Sequence, residues 1–392
     1  MSVKEIINKN IDFVGKKPHV YFSPGRVNLI GEHIDYHGGN VFPTAINLGT
    51  YALVSKRQDR KFCFISENFK EAGKIEIDLD NLNYDEERNW ANYPVGMIAA
   101  FIELGLEIDY GLNIVIYGTL PNSAGLSSSA SLEVLIGTIL RDEYSFEIDM
   151  IDIVKISQQV ENNYIGVNCG IMDQFAVGMS KVDNAIYLNT SSLEYQLVPL
   201  VLGDYTLVIA NTNKLRALAD SKYNERRSEC DEGIKELKGN NYDIDFLCDL
   251  TPKKYENIKH IFTDNTIKNR VEHAVYENDR TKKAVSALES GNLEKLGKLM
   301  DLSHESLKNL YEVSCEELDL LVDSFRKHGS IGARMTGAGF GGCMISLVPT
   351  KIVEETIKKV EIEYKNKIGF NADFYLCKTH DGARQLFEEE IE

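Results

Sequence analysis

A two-domain fold mixing antiparallel strands with helices is predicted by three observations. The chain has 392 residues, its strand patterns concentrate in the first half, and long charged helical patterns dominate after residue 211. A chain of this length can bury roughly two or three separate cores. In order, β-rich segments separated by turns are expected at 19–22, 50–56, 61–67 and 74–80, and short turns between them favour antiparallel pairing. Apolar periodicity then predicts a helix over 90–104, a strand over 112–117, and helices over 128–144 and 151–164. Strand patterns return at 185–189 and 205–210. Helices are expected at 220–237, 269–290, 292–310 and 315–327, ahead of a glycine-rich stretch at 337–342 that leads into strand, helix and strand. The composition shift puts a boundary near 205–215, giving domains of 1–205 and 206–392. No Pro/Ser-rich linker marks it, so the halves are expected to pack closely, with the site at their interface.

Composition narrows the function. Hydrophobic residues make up 43% of the chain, ample for packed cores, and the formal charge is -17 with no basic run of five or more residues. Such a field repels polyanions, so nucleic acid is not an expected partner. A nucleotide would need local attraction from backbone N–H groups, a helix N-terminus, a metal ion and a few cations. The seven cysteines are widely spaced, odd in number and without a CxxC pair, which fits reduced thiols and a cytoplasmic setting. The first ten residues are polar rather than signal-like, and no apolar run is long enough to span a bilayer, so no membrane partner is expected.

The densest polar function lies in Ser23-Pro-Gly-Arg-Val-Asn-Leu-Ile-Gly-Glu-His-Ile-Asp-Tyr-His-Gly-Gly39. Carboxylates accept hydrogen bonds from hydroxyls, so Glu32 and Asp35 suit a hydroxyl-rich small ligand. Arg26, a permanent planar cation, suits phosphate or developing negative charge. Any three of these residues alone would also fit a polar surface turn after a strand. The complete string resembles the signature of the galactokinases, within the GHMP family of small-molecule kinases, at Gly25 to Glu32, His33, Asp35 and Tyr36. Ile34 departs from the threonine usual in that family, and its side chain is expected to point away from the ligand in an extended segment.

Pro121-Asn-Ser-Ala-Gly-Leu-Ser-Ser-Ser-Ala-Ser-Leu-Glu133 follows a predicted strand and opens a predicted helix. Gly125 allows a tight turn, Ser127, Ser128 and Ser129 offer hydroxyls to oxygens or a metal, and the helix dipole favours an anion ahead of it. The run is neither a Walker A loop nor a dinucleotide fingerprint, and Ser127 alone fits an ordinary N-cap equally well. The segment is similar to the GHMP phosphate loop, with Ser123 and Ala124 in place of glycines found in some relatives. That resemblance implies ATP binding by Ser123, Ala124, Gly125, Leu126, Ser127, Ser128 and Ser129. It also implies Mg2+ on Ser129 and Glu161, in line with the few protein oxygens magnesium takes beside nucleotide phosphates. Without the resemblance, Glu161 reads as an exposed helix carboxylate.

Asp173 sits in Cys169-Gly-Ile-Met-Asp-Gln-Phe175, where spacing alone fits a first-turn helix residue complementing the dipole. The same run matches the galactokinase pattern, which implies that Asp173 lies beside the attacking sugar hydroxyl with Arg26 near it, the pair forming the catalytic set. An adjacent arginine lowers a carboxylate pKa and weakens it as a base, so Asp173 can serve chiefly to orient the hydroxyl if the transition state is loose. By resemblance Glu32, His33, Asp35, Asp173 and Tyr223 bind the sugar; from its helical position alone Tyr223 would be a core residue.

Arg334-Met-Thr-Gly-Ala-Gly-Phe-Gly-Gly-Cys343 places four glycines in six positions before an apolar strand, a pattern for close backbone approach or for conformations open to glycine. A plain turn cluster would also account for it. It matches the third GHMP motif, with Ala338 where many relatives carry glycine. Trp90, the only tryptophan, can stack on adenine or simply pack in the core; the resemblance places it and Ser66 at the base.

Running from about residue 19 to 380, the resemblance implies an α+β, two-domain GHMP architecture with ATP and sugar in the cleft. The implied reaction moves the γ-phosphoryl group of ATP to the C1 hydroxyl of galactose, in a monomer or weak homo-oligomer. Two alternatives remain: a kinase for N-acetylgalactosamine or another galactose-like sugar, and a non-catalytic sugar and ATP sensor. The second has no need of Asp173, Arg26 and Ser129 together, and all three are present.

Overall fold

The computed structural model describes residues 2–121, 124–214 and 219–391. Its largest sheet has six strands in the spatial order Arg384–Leu386, His19–Asn28, Pro43–Lys56, Leu112–Gly118, Lys61–Ser66, Lys74–Asp78. Pairing is antiparallel except between Lys61–Ser66 and Leu112–Gly118, which run parallel. The strands read over 19–80 pair antiparallel with one another as expected; the one parallel pair brings in Leu112–Gly118, which the helix Asn92–Glu103 precedes as a crossover.

Side-chain alternation explains why this sheet is covered on both faces. Tyr21, Ala52, Val54, Ile114 and Ile116 point into a core formed with the helices Asn92–Glu103, Ser128–Glu143 and Met150–Gln159. Their neighbours Val20, Phe22, Leu53 and Val115 point the opposite way, against Ile6 and Val14 of the short N-terminal helices. The period of two places adjacent residues in different cores.

A second sheet, in the order Gly332–Met335, Cys343–Pro349, Tyr205–Asn211, Asp373–Leu376, carries the third glycine-rich motif in the loop between its first two strands. The helices Ala219–Gly239, Asn265–Glu289, Leu293–Asn309, Glu316–Lys327 and Val353–Ile368 follow the expected pattern to within a few residues. A small sheet of Asn40–Val41, Asn184–Asn189 and Tyr195–Pro199 lies between. The last strand returns from the far end of the chain to the edge of the first sheet, Val20 facing Leu386. Among the described residues, no helix is long and apolar enough to cross a membrane, and all seven cysteines are free thiols.

Candidate active site

The first motif does not form a turn at its start. Its strand continues through Ser23 to Asn28, with a register shift against Pro43–Lys56 between Pro24 and Gly25. The extra residues of that shift, Asn47 and Leu48, lie on the partner strand, and the motif strand itself runs on in register through Arg26. The Arg26 backbone N–H donates to the Leu126 carbonyl at 3.2 Å, and Nη1 donates to the Gly125 carbonyl at 2.8 Å, so the strand and the phosphate loop are tied together. Its remaining nitrogens grip Asp173, Nε to Oδ1 at 2.8 Å and Nη2 to Oδ2 at 2.7 Å. Arg26 is nearly fully buried, whereas 30% of the Asp173 side chain stays exposed, leaving that carboxylate reachable by a ligand.

After Asn28 the chain tightens. His33 adopts a left-handed φ of 59°, and Asp35–His37 forms a 3-10 turn. Ile34 is therefore not in an extended segment as expected, yet its side chain does point away from the ligand side, into the core. The His33 ring lies between Tyr36 Oη at 2.8 Å and the Ala338 carbonyl at 3.1 Å. Because a carbonyl only accepts, Nε2 carries the proton. Burial holds the His33 pKa down at about 3, keeping the ring neutral. Asp35 lies against Gly170 and accepts from the Met172 N–H at 3.4 Å; burial, reinforced by the Asp173 charge, pushes its carboxyl up to about 7.

The phosphate loop enters the helix Ser128–Glu143 through Ser127, whose φ of 64° and ψ of 47° are left-handed. The expected alternative, an ordinary serine cap, is absent: Ser127 makes no side-chain cap and its buried Oγ has no partner within the protein. A non-glycine residue held there is strained, a state that concentrates at ligand sites. Ala124 and Leu126 bury their side chains in the core and offer only backbone to a ligand. Ser123 lies outside the described residues.

Glu161 is buried, not the exposed helix carboxylate that its spacing alone implied. It sits in a π-helical turn, Val160–Ile165, a widening that re-aims a residue and recurs at functional sites. Gln174 Nε2 donates to its Oε2 at 2.7 Å. Burial pushes its carboxyl up to about 7, with a Ser129 hydrogen bond working against that shift and the Asp173 charge adding to it. Glu133, wholly buried beside it, has neither oxygen in a well-formed hydrogen bond within the protein; burial and then the Glu161 charge raise its pKa well above the usual range.

Around these groups lies a cavity of about 380 Å³ whose lining includes Arg26, Glu32, His33, Asp35, Gly125, Ser127, Ser128, Ser129, Glu161, Asp173 and Tyr223. Ser66 and Trp90 do not line it. Ser66 Oγ accepts from the Asn68 and Phe69 N–H groups, and Trp90 is 8% exposed in the N-terminal core, edge-on to Phe64. The third motif closes the cavity with Gly337 and Ala338. Gly337, Gly339, Gly341 and Gly342 all have positive φ, and a Cβ on Gly337 would lie 2.5 Å from the Gly125 carbonyl, so glycine is required where the two loops meet.

Three contributors escaped the sequence. Arg334, fully buried, donates from Nη2 to Glu32 Oε2 at 2.8 Å and from Nη1 to the Asn28 carbonyl at 2.7 Å. Burial raises the Glu32 pKa, and this arginine is the first charge opposing that rise. Gly170, a wall for Asp35, has no local signal. Glu133 had one: it is a lone charge amid the apolar positions 130–140 of its helix.

Comparison with known proteins agrees with this arrangement. The model of the galactokinase galactose-binding signature matches residues 11–56, and those of the GHMP kinases N terminal domain and C terminal region match 92–181 and 284–366. The galactokinase of Enterococcus faecalis is 51% identical over 384 residues, covering 97% of this chain and 99% of that protein. That of Fusobacterium nucleatum is 52% identical over 367 residues, covering 93% and 94%. The crystal structure of Lactococcus lactis galactokinase complexed with galactose superposes with a TM-score of 0.95 at 45% identity, covering 98% of this chain and 100% of that one. Methanococcus jannaschii mevalonate kinase, at 22% identity and a TM-score of 0.67 over 93% of this chain and 99% of its own, shares the fold. Near 50% identity along almost the whole length, with the sugar signature lying on the strand that carries Arg26, the chain belongs to the galactokinase family of the GHMP kinases.

Proposed function

We propose that this chain, an ATP-dependent sugar kinase, phosphorylates galactose at its C1 hydroxyl, giving galactose 1-phosphate and ADP. One observation carries the reading: the Arg26–Asp173 fork stands where the phosphate loop, at Gly125, meets the loop bearing Glu32, His33 and Asp35. Glu32, His33, Asp35 and Tyr223 bind the sugar, and Asp173 holds the attacking hydroxyl. Arg26 offsets charge on the transferring group, a role that suits a fixed planar cation. The strained Ser127 turn and the helix behind it receive the phosphates. Ser66 and Trp90 serve the adenine end, and the functional division of the chain is 1–205 and 206–392.

The residues present fit magnesium. Ser129 and Glu161 supply hard oxygens, and the charged forms of Glu161 and the neighbouring Glu133, disfavoured here first by burial, are the forms that a divalent cation beside them would favour. Ser129 and Glu161 would hold the ion, which when bound neutralises phosphate charge. The free thiols fit a reducing, cytoplasmic setting.

A coupled ADP-release assay over a sugar panel, with and without Mg2+, tests this reading. Galactose-dependent and Mg2+-dependent turnover supports it. Preference for N-acetylgalactosamine, or binding of galactose and ATP without turnover, overturns it.

A further inference from the structure

The sugar-binding loop is held from outside by one helix. Glu277, on Asn265–Glu289 and fully buried, takes the N–H groups of two successive loop residues on Oε1: Gly31 at 3.0 Å and Glu32 at 3.3 Å. Ser303 Oγ donates to the same oxygen at 2.6 Å, and Arg280 Nε donates to Oε2 at 2.7 Å. From the same helix His273 Nε2 donates to the Glu32 carbonyl at 3.1 Å, so the N–H and the C=O of Glu32 are both held by this helix. The approach is close enough to exclude a side chain at position 31: Gly31 has a φ of +100°, and a Cβ there would lie 2.7 Å from the Asn40 carbonyl and 3.0 Å from Thr281 Oγ1.

Two adjacent amides converging on one atom form an anion-binding nest. Here the anion is a side chain more than 240 residues away in sequence, and the nest is the backbone of the loop that presents Glu32 and His33 to the cavity. We infer that Glu277 is a positioning residue for sugar recognition: by seating the Gly31 and Glu32 amides it fixes the loop in its ligand-ready form before sugar arrives. A site so built avoids the cost of ordering its loop on binding. The inference rests on the reading of this loop as the galactose site.

Glu277→Gln keeps the shape but replaces charge-assisted hydrogen bonds with neutral ones and turns an amide donor toward one set of donors. The galactose KM is expected to rise on the order of tenfold, the worth of one such bond, while the ATP KM stays at the parent value and galactose raises the melting temperature less than in the parent. A merely structural role would lower the melting temperature without moving the galactose KM, and that result, or an equal rise in both KM values, overturns the inference. Should Glu277→Gln fail to fold, Glu277→Asp, which keeps the charge but withdraws it by one methylene, is read in the same way. A parent protein that does not phosphorylate galactose refutes the functional reading itself; an active parent with an unmoved galactose KM in the variants refutes only the role of Glu277.

Discussion

Arg26 and Asp173 are joined by two parallel hydrogen bonds of 2.8 and 2.7 Å across 147 residues of sequence. This fork leaves the carboxylate partly exposed and the guanidinium largely buried, and both groups line the cavity. A carboxylate held on both oxygens by a planar cation is a rigid acceptor. Asp173→Asn keeps the size and loses both the charge and one acceptor. Its kcat should fall by about 10²–10⁴, the range for a positioned acid or base, with the galactose KM changing far less. Near-normal turnover in a folded variant would remove Asp173 from the reaction.

Gly170 presses against the loop that bears Glu32, His33 and Asp35. A Cβ at this position would lie 1.9 Å from Asp35 Oδ2. The clash is with the Asp35 side chain, its Cγ at 2.3 Å included, rather than with backbone, so the fold can absorb it by swinging that side chain to another χ1 and moving the carboxylate with it. Gly170→Ala should therefore remain folded, with a melting temperature close to the parent, while the galactose KM rises on the order of tenfold, as expected when a ligand hydrogen bond is lost. Unchanged sugar affinity would show that Asp35 does not need its present position.

Much of the fold was legible because burial alternates with a regular period. Val20, Tyr21 and Phe22 announce a two-sided strand, and the helices beyond residue 211 show their own spacing. The continuation of that first strand to Asn28 was hidden by Pro24 and Gly25, which read locally as a turn but occupy a register shift stabilised by Pro43–Lys56. Asp173, Arg26 and the serines were legible because whole motifs stand in the sequence. Glu161 was not legible from its surroundings: its burial depends on the π turn and on Gln174, thirteen residues on. Arg334 and Glu277 act through contacts roughly 250–300 residues away in sequence, a pairing no local pattern encodes.

Glu161 gives the stability a particular pH dependence. Its carboxyl rises from 4.5 to about 7 on folding, with burial as the leading cause. A folded-state pKa above the unfolded one means that the stabilising contribution of the protonated form is complete below 4.5 and is lost as pH climbs through 7. Glutamine mimics the protonated form at every pH. The melting temperature of metal-free Glu161→Gln should therefore gain on the parent by a few degrees between pH 5 and pH 8, with Mg2+ stabilising the parent and not the variant. A difference that stays flat across that range would contradict the burial argument.

Arg334 and Glu32 form a buried ion pair at 2.8 Å, with both side chains at most 2% exposed. Desolvating two charges is costly, so the pair is not expected to add much net stability over an apolar one; removing one member, however, strands the other. Arg334→Met leaves Glu32 without its principal cation and leaves the Asn28 carbonyl short of a donor. The expected loss is about 3–5 kcal/mol, as for other broken buried pairs, read by denaturant unfolding. Adding Glu32→Gln to Arg334→Met should recover a substantial part of that loss, since the stranded charge is gone, yet sugar binding should not return, because Glu32 lines the cavity. The two readouts separate the roles: recovery of stability without recovery of galactose affinity identifies the pair as an aiming device for Glu32. If the double variant is no more stable than Arg334→Met, the uncompensated charge is not what the single substitution exposes.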